Sequence, residues 1–104
     1  MSYAVKGGQA SGLLAGAVVV EGVSAGRLSV RSVVLSSPGE CEITLHDAEG
    51  SVVMGPFHMN RGTIPLGPFS PGAFQVRTGK GILASLKGSG PQPATVTLDA
   101  YILT

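Results

Sequence analysis

Glycine and proline are spread so densely along this chain that they decide its fold class. The 104 residues contain sixteen glycines and seven prolines. The longest stretches free of both, Arg27–Ser37 and Ala94–Thr104, have eleven residues each. Because helix interiors tolerate glycine and proline poorly, little room remains for a stable helix. Both stretches are also rich in β-branched residues, so the sequence predicts a single small all-β domain.

Apolar residues alternate through the last stretch, Ala94–Thr104. One face carries only apolar side chains, a period of two that is typical of a strand buried on one side. These residues are Ala94, Val96, Leu98, Ala100 and Ile102. The other face is not fully polar, because it holds Tyr101 and Leu103. A terminal strand with apolar groups on both faces needs cover on both, and we expect another subunit to provide part of it.

Strand patterns recur along the chain at a spacing of about ten residues, which predicts a β-sandwich or jelly roll of about eight antiparallel strands. The predicted strands are Leu13–Glu21, Arg27–Leu35, Cys41–His46, Ser51–Met54, Thr63–Leu66, Ala73–Arg77, Ile82–Lys87 and Thr95–Leu103. The turn Asp47–Gly50 predicts a hairpin between two of them. The residues that we expect in the core are Ile43, Phe74, Val76, Leu86, Val96 and Leu98.

The two ends of this domain are less regular. Residues 1–11 contain two adjacent glycines and show no clear period, so we expect an N-terminal arm, followed by the sandwich domain over residues 12–104. The segment Gly55–Gly72 combines four prolines with the apolar residues Phe57, Met59 and Phe69, which predicts a loop across the end of the sandwich. We expect Phe69 to plug the core, and leave open whether Phe57–Arg61 does the same or contacts a partner.

The charges are few and scattered. Charged residues make up 12% of the chain, about half the usual share, which suggests that partners cover part of its surface. The seven basic residues stand singly and the net charge is +1, so we expect no nucleic-acid partner. The single cysteine, Cys41, cannot form an internal disulfide and is interpreted as a small buried residue.

The N-terminal segment imitates a signal peptide, with Lys6, the apolar run Leu13–Val20 and the small residues of Val23–Ala25. The segment Gly7–Gly12, however, separates the charge from the run, and eight apolar residues are too few to span a bilayer. We expect an uncleaved, soluble protein that is made in the cytoplasm and has no membrane partner.

Tests for catalytic and ligand-binding motifs favour a non-enzymatic protein. Gly79-Lys80-Gly81 lacks the spacing of a phosphate loop and predicts a tight turn. Glu42, His46 and Asp47 are metal-ligand types, but a solvated strand face is the better interpretation. The six carboxylates of the chain form no evident acid–base pair. We therefore expect no catalytic residue, no cofactor and no metal.

About three quarters of the chain, from Val30 to Thr104, resembles small all-β bacteriophage virion proteins of the capsid decoration (cement) or tail-accessory, jelly-roll type. The pieces that carry the resemblance are Val33–Ser37, Ile43–Asp47, Gly79–Ile82 and Ala94–Leu98. The resemblance implies a structural protein of the virion, most concretely a phage capsid decoration protein that stabilises the shell by protein–protein contacts. It also implies a homo-oligomer, a trimer by analogy, that binds the major capsid protein or another virion protein.

An alternative within the same resemblance is a tail- or fibre-associated module that recognises a receptor or a glycan. Binding sites for carbohydrates usually display exposed aromatic rings, and Tyr3, Phe57 and Tyr101 are the candidates for that role.

Self-association or docking requires apolar residues that point outward. The alternation predicts such positions at Leu83, Tyr101 and Leu103, and the Gly/Pro-rich loop adds Phe57 and Met59. These five residues are the predicted interface. Long, uncharged terminal strands are in addition open to pairing with another chain.

Overall fold

The computed structural model describes residues 3–87 and 93–104, which fold into an all-β sandwich, as the sequence predicts. Eight antiparallel strands form two four-stranded sheets in these ranges. Sheet A has the strand order β1–β8–β3–β6, and sheet B the order β2–β7–β4–β5. In chain order the strands are β1 Ala4–Gly12, β2 Ala15–Val20, β3 Arg27–Ser37, β4 Cys41–His46, β5 Val52–Met59, β6 Gly62–Leu66, β7 Ile82–Lys87 and β8 Ala94–Leu103. The described ranges contain no helix of the length and hydropathy needed to cross a membrane.

The core lies between the two sheets, where the alternating side chains of each strand point inward. Its largest fully buried residues come from both sheets and include Leu28, Leu35, Leu98, Ile43, Leu45 and Ile82. Among the predicted core residues, Ile43, Val76, Val96 and Leu98 are buried, and Leu86 packs half-buried against them. Cys41 is a buried free thiol, which agrees with its interpretation as a small core residue.

Phe74 does not belong to the core, and the predicted strand Ala73–Arg77 does not form. This segment pairs with β3 only through one bridge, between Ser29 and Gln75. Phe74 has a φ of 48°, in the left-handed region, which interrupts the extended conformation that alternation requires. Its side chain is consequently 42% exposed, while Val76 is buried. Both predictions failed because the spacing was correct but the backbone was not extended.

The predicted N-terminal arm is an edge strand over most of its length. All nine residues of β1 pair with β8. The inward position Gly8 of β1 has no room for a side chain because β2 crosses close to it: a Cβ atom there would stand 1.8 Å from the carbonyl oxygen of Val19. Lys6 Nζ donates to the Glu21 carbonyl at 3.1 Å. These residues thus close one side of the sandwich. Residues 1–2 of the predicted arm lie outside the described residues, as does the segment 88–91, whose two glycines and proline also predict a loop.

On the opposite side, β5 and β6 are the outer strands of their sheets. Each contains a proline, Pro56 and Pro65, which has no N–H to offer another strand. On the other edge of sheet A, β1 directs Lys6 inward, a second device that discourages strand addition. The terminal strand β8 lies between β1 and β3 and has no free edge, so the expectation that it pairs with another chain is wrong. Sheet A thus has blunted strands at both of its edges, and sheet B at the edge formed by β5.

The hairpin predicted at Asp47–Gly50 is present and is organised by a carboxylate. Asp47 Oδ1 accepts hydrogen bonds from the backbone N–H groups of Glu49 at 2.8 Å and Ser51 at 3.0 Å. Burial alone would raise the pKa of Asp47, but these backbone bonds and the charge of Arg77 outweigh it. The pKa of Asp47 therefore lies below its ordinary value, because the fold stabilises the charged form.

Candidate interaction surfaces

The structure does not bring the five predicted interface residues together. Leu83 lies on the outer face of sheet B, whereas Tyr101 and Leu103 lie on the outer face of sheet A, on the far side of the molecule. Alternation along a strand separates inward from outward positions, but it does not tell which sheet the strand joins. The three outward strand residues of the predicted interface therefore lie on two separate surfaces.

The two loop residues of that set turn toward the interior. Strand β5 continues through Gly55 and Pro56 as far as Met59, which pairs with Cys41. Met59 is 2% exposed and belongs to the core, so its prediction as an interface residue is wrong. Phe57 is half-buried and packs against the same core. The proline-rich composition suggested a loop here because the sequence gives no sign that a bulged strand accommodates it.

The outer face of sheet B carries a row of side chains that crosses all four strands. Register places Val18 beside Leu83, Leu83 beside His46, and His46 beside Val52. We call these four residues the valine row. Val18 is 48% exposed and Val52 59% exposed. Exposed apolar side chains aligned across a sheet form a continuous patch, which is the kind of surface that binds a partner.

His46 is fixed within this row by hydrogen bonds on both ring nitrogens. Nδ1 lies 2.6 Å from the Asp47 carbonyl oxygen and therefore donates to it. Nε2 accepts from Ser85 Oγ at 2.7 Å, and Ser85 Oγ accepts from the Gly16 N–H at 2.8 Å. A serine and a histidine at this distance resemble a nucleophile and its base. Here the bonds form a chain that links β4 and β7 to β2 and orients the valine row.

The three residues considered for a metal are used differently. Asp47 organises the hairpin turn and His46 bonds to Ser85, while Glu42 lies at the other end of β4 beside Lys87. In the part of the chain that the structure describes, no three His, Cys, Asp or Glu side chains group together as metal ligands.

The outer face of sheet A is partly covered by its own chain. Residues 67–76, here called the covering loop, are tied to β3 through the buried Ser29, whose Oγ donates to the Ala73 carbonyl and accepts from the Gly72 N–H. The Phe69 N–H also donates to the Arg31 carbonyl at 2.7 Å. The hydroxyl of Tyr101 donates to the Phe69 carbonyl at 3.1 Å. Ser29, although it points outward from the sheet, is thereby 0% exposed.

Four of the five aromatic residues lie on this side of the molecule. Tyr3 and Tyr101 meet edge to face with ring centroids 6.1 Å apart, and Phe69 and Phe74 do so at 5.0 Å. Since Tyr101 also bonds to Phe69, the two pairs form one continuous group, here called the aromatic row. Its two ends, Tyr3 and Phe74, are 39% and 42% exposed.

Polar groups stand on both sides of Tyr101 along the sheet. On one side Arg31 forms an ion pair with Asp99 at 3.8 Å. On the other side Arg27 donates to Thr78 Oγ1 at 3.3 Å and to Gln75 Oε1 at 3.4 Å. Arg27 also lines an open surface hollow of about 370 Å³, whose other walls are Ala25, Gly26, Gln75, Thr78, Leu103 and Thr104.

The valine row and the aromatic row are the two candidate sites, and they lie on opposite faces. Neither family models nor curated proteins match this chain. The function of the protein must therefore be inferred from the geometry of the two faces and from the resemblance of the sequence pattern.

Proposed function

We propose that this chain is a non-enzymatic structural protein that docks through the outer face of sheet B, most concretely as a capsid decoration (cement) protein of a bacteriophage virion. The observation that carries the docking surface is the uncovered valine row, with Val18 and Val52 about half exposed. The resemblance stated above supplies the virion setting. In that setting the partners are the major capsid protein or another virion protein, and further copies of this chain, three in all by analogy.

The dimensions of the molecule favour a face over an edge. The protein extends 42 × 25 × 17 Å. A sheet face of that size offers roughly 1,000 Å², and a stable interface buries about 800 Å² on each partner. The narrow sides are thin and their strands are blunted by proline and by an inward lysine. A broad face therefore provides the area that a lasting contact needs.

The outer face of sheet B also has the polarity of a binding face. The valine row lies at one end of the face. At the other end Glu42 stands between Lys87 and His58 in the strand register, and His58 lies 3.5 Å from Glu40. Interfaces commonly combine an apolar centre with a charged rim. The charged end would fix the direction in which a partner lies across the sheet, since reversing it would bury charges against the apolar row.

The test is a double variant that introduces two positive charges into the valine row, Val18→Lys with Val52→Lys. Both side chains are exposed, so the fold should tolerate the change, while the lysines should remove self-association or release the protein from its particle. Val5→Lys is the matched control, because Val5 is also 48% exposed but lies on the outer face of sheet A. Sedimentation velocity and co-sedimentation with particles measure both outcomes. Retained assembly in the double variant, or equal loss in the control, would contradict docking through sheet B.

A second experiment addresses the virion setting separately. Quantitative mass spectrometry of purified particles gives the copy number of the chain relative to the shell protein. A copy number comparable with that of the shell supports capsid decoration, and a few copies per particle support the tail or fibre location. Complete absence from particles would reject the virion setting while leaving docking through sheet B to the first experiment.

A further inference from the structure

The outer face of sheet A has a different chemistry from the docking face. Its centre is Tyr101, flanked by Val5 on β1 and by Tyr3, which directly precedes β1; Tyr3 is 39% and Val5 48% exposed. The covering loop borders Tyr101 on the other side through the bond to Phe69. The exposed Tyr3 ring thus meets the half-buried Tyr101 ring edge to face, and the covering loop forms a wall beside this pair.

Charged and hydrogen-bonding groups frame this pair at both ends. The outward residues of β8 on this face are Asp99, Tyr101 and Leu103, which an extended strand spaces over about 14 Å. Together with Tyr3, Arg27 and Arg31 beside them, these residues are here called the strip. Asp99 pairs with Arg31 at one end, and Leu103 pairs in register with Arg27 at the other, where the hollow opens. The length matches a ligand of two or three six-membered rings rather than a single small molecule.

A glycine leaves space beside the acidic end of the strip. Gly7 is the register partner of Asp99, and a Cβ atom at Gly7 would stand 2.8 Å from Asp99 Oδ1. Any larger residue would press on the carboxylate from above β1. The absence of a side chain at Gly7 therefore makes room for the Asp99 carboxylate itself, and the Asp99 side chain is 45% exposed to an incoming hydroxyl group.

The two guanidinium groups of the strip are not equivalent. Arg31 has the Asp99 carboxylate as its partner, whereas the described side chains that hydrogen-bond to Arg27, Gln75 and Thr78, are both neutral. In these ranges Arg27 forms no ion pair. Held in place by two hydrogen bonds at the mouth of a hollow, it presents a full positive charge whose fork-shaped donors suit a carboxylate.

We propose that the outer face of sheet A binds a short acidic saccharide, with the apolar face of one sugar ring on Tyr3 and Tyr101 and a sugar carboxylate on Arg27. Sugar hydroxyl groups both donate and accept, and the strip supplies both functions through Arg31, Asp99 and Gln75. A purely apolar partner fits poorly, because it would bury these charges without replacing their bonds to water. The receptor- or glycan-binding alternative raised by the sequence thereby acquires a site, on the face opposite to the docking surface.

The experiment is a nuclear magnetic resonance titration of the full chain with sialyllactose, with trigalacturonate as a second acidic probe and lactose as the neutral control. We expect shifts confined to the outward residues of β1, β3 and β8 and to the covering loop, and much weaker binding of lactose. Arg27→Gln should weaken binding of the acidic probes by about tenfold or more, the worth of one charge-assisted hydrogen bond. Tyr3→Ala should also weaken it, while Tyr101 is left intact because it anchors the loop.

The controls separate this proposal from docking through sheet B. Arg77→Gln removes an exposed arginine that pairs with Glu49 at 3.3 Å, away from the strip, and should bind as the unmodified protein does. Absence of shifts with either acidic probe, equal binding of lactose, or unchanged binding by Arg27→Gln would each overturn the proposal. So would shifts of the same resonances on raising the protein concentration alone, because they would make this face a contact between copies. None of these outcomes bears on the valine row.

Discussion

The two outer faces of the sandwich handle outward apolar residues in opposite ways. On sheet A the chain folds its own loop over β3, and the serine beneath it, Ser29, is 0% exposed. On sheet B the two valines of the valine row are about half exposed, and an outward serine of that face, Ser85, is only half-buried. An apolar residue on the polar side of a strand needs cover, which its own chain or a partner can provide. The same sequence signal, an apolar residue on the outward side of a strand, thus marks a covered position on sheet A and an exposed position on sheet B.

The largest predicted effect separates the two serines. Ser29→Ala removes a buried hydroxyl that bonds to two backbone groups of the covering loop, Ala73 and Gly72. Leaving buried groups without partners costs about 1–3 kcal/mol, so we expect the free energy of unfolding to fall by that amount. Ser85→Ala breaks bonds to His46 and Gly16 in a half-buried setting, where about 0.5–1.5 kcal/mol is expected. Urea denaturation of both variants measures the difference.

The Ser85→Ala variant also tests the non-enzymatic proposal. Since Ser85 and His46 have the spacing of a nucleophile and base, a fluorophosphonate probe would label a reactive serine. We expect no labelling of the unmodified protein. Labelling that disappears in Ser85→Ala would mean that the outer face of sheet B is a catalytic surface. In the urea experiment, equal losses of unfolding free energy for Ser29→Ala and Ser85→Ala would contradict the contrast between the covered and the uncovered face.

The next effect concerns how firmly the covering loop is held. Tyr101→Phe removes the hydroxyl that donates to the Phe69 carbonyl, which should cost about 0.5–1.5 kcal/mol of unfolding free energy. Tyr3→Phe is the matched control on the same face, and since no hydrogen bond of its hydroxyl is found among the described residues, we expect a change within about 0.5 kcal/mol. Hydrogen exchange of the loop amides should rise only in Tyr101→Phe. Equal exchange in both variants would show that the loop holds without this bond.

The third prediction uses pH to probe the hairpin at the end of sheet B. Because the pKa of Asp47 is lowered in the fold, its charged form stabilises the protein above the ordinary carboxyl pKa, and this contribution is lost as the pH falls through the lower, folded value. Asp47→Asn keeps an oxygen acceptor but not the charge. Thermal midpoints measured from about pH 6 to about pH 2 should therefore fall less in the variant, over the range below about pH 4. An identical acid dependence would show that Asp47 is not the group responsible.

Alternation and turn chemistry were enough to predict most of this sandwich. Strand β4 has the predicted bounds, Cys41–His46. The turn predicted at Gly79 is also present, and Gly79 has the positive φ, 81°, that such a turn requires. Strand β1 was missed for a physical reason. Its adjacent glycines look unlike a strand, but each makes room for a neighbour: Gly8 for the backbone of β2 and Gly7 for the carboxylate of Asp99. A glycine pair of this kind is indistinguishable in sequence from a flexible arm.

The candidate sites were harder to predict than the fold. Outward positions such as Leu83 and Tyr101 follow from alternation, yet their placement on opposite faces depends on the strand order, which pairs the first strand with the last. Tyr3 was weighed as a possible sugar contact, but its neighbour Tyr101 is nearly one hundred residues away in the chain. Arg27 gave no signal in a scattered set of charges, because only long-range pairing sets it beside Gln75 and Thr78.

The smallest expected effect is at Phe74, the residue that was predicted as core. Phe74→Asn removes a side chain that is 42% exposed and forfeits its edge contact with Phe69, worth about 0.5–1.5 kcal/mol. The substitution also relieves a φ of 48°, which asparagine adopts more readily than phenylalanine and which costs about 1–2 kcal/mol for most residues. The two terms nearly cancel, so we expect a change within about 0.5 kcal/mol in urea denaturation. Val76→Ala, two residues on and buried, is the control and should lose clearly more. A loss of several kcal/mol of unfolding free energy in Phe74→Asn would mean that the Phe74 side chain is buried in the protein rather than exposed at the end of the aromatic row.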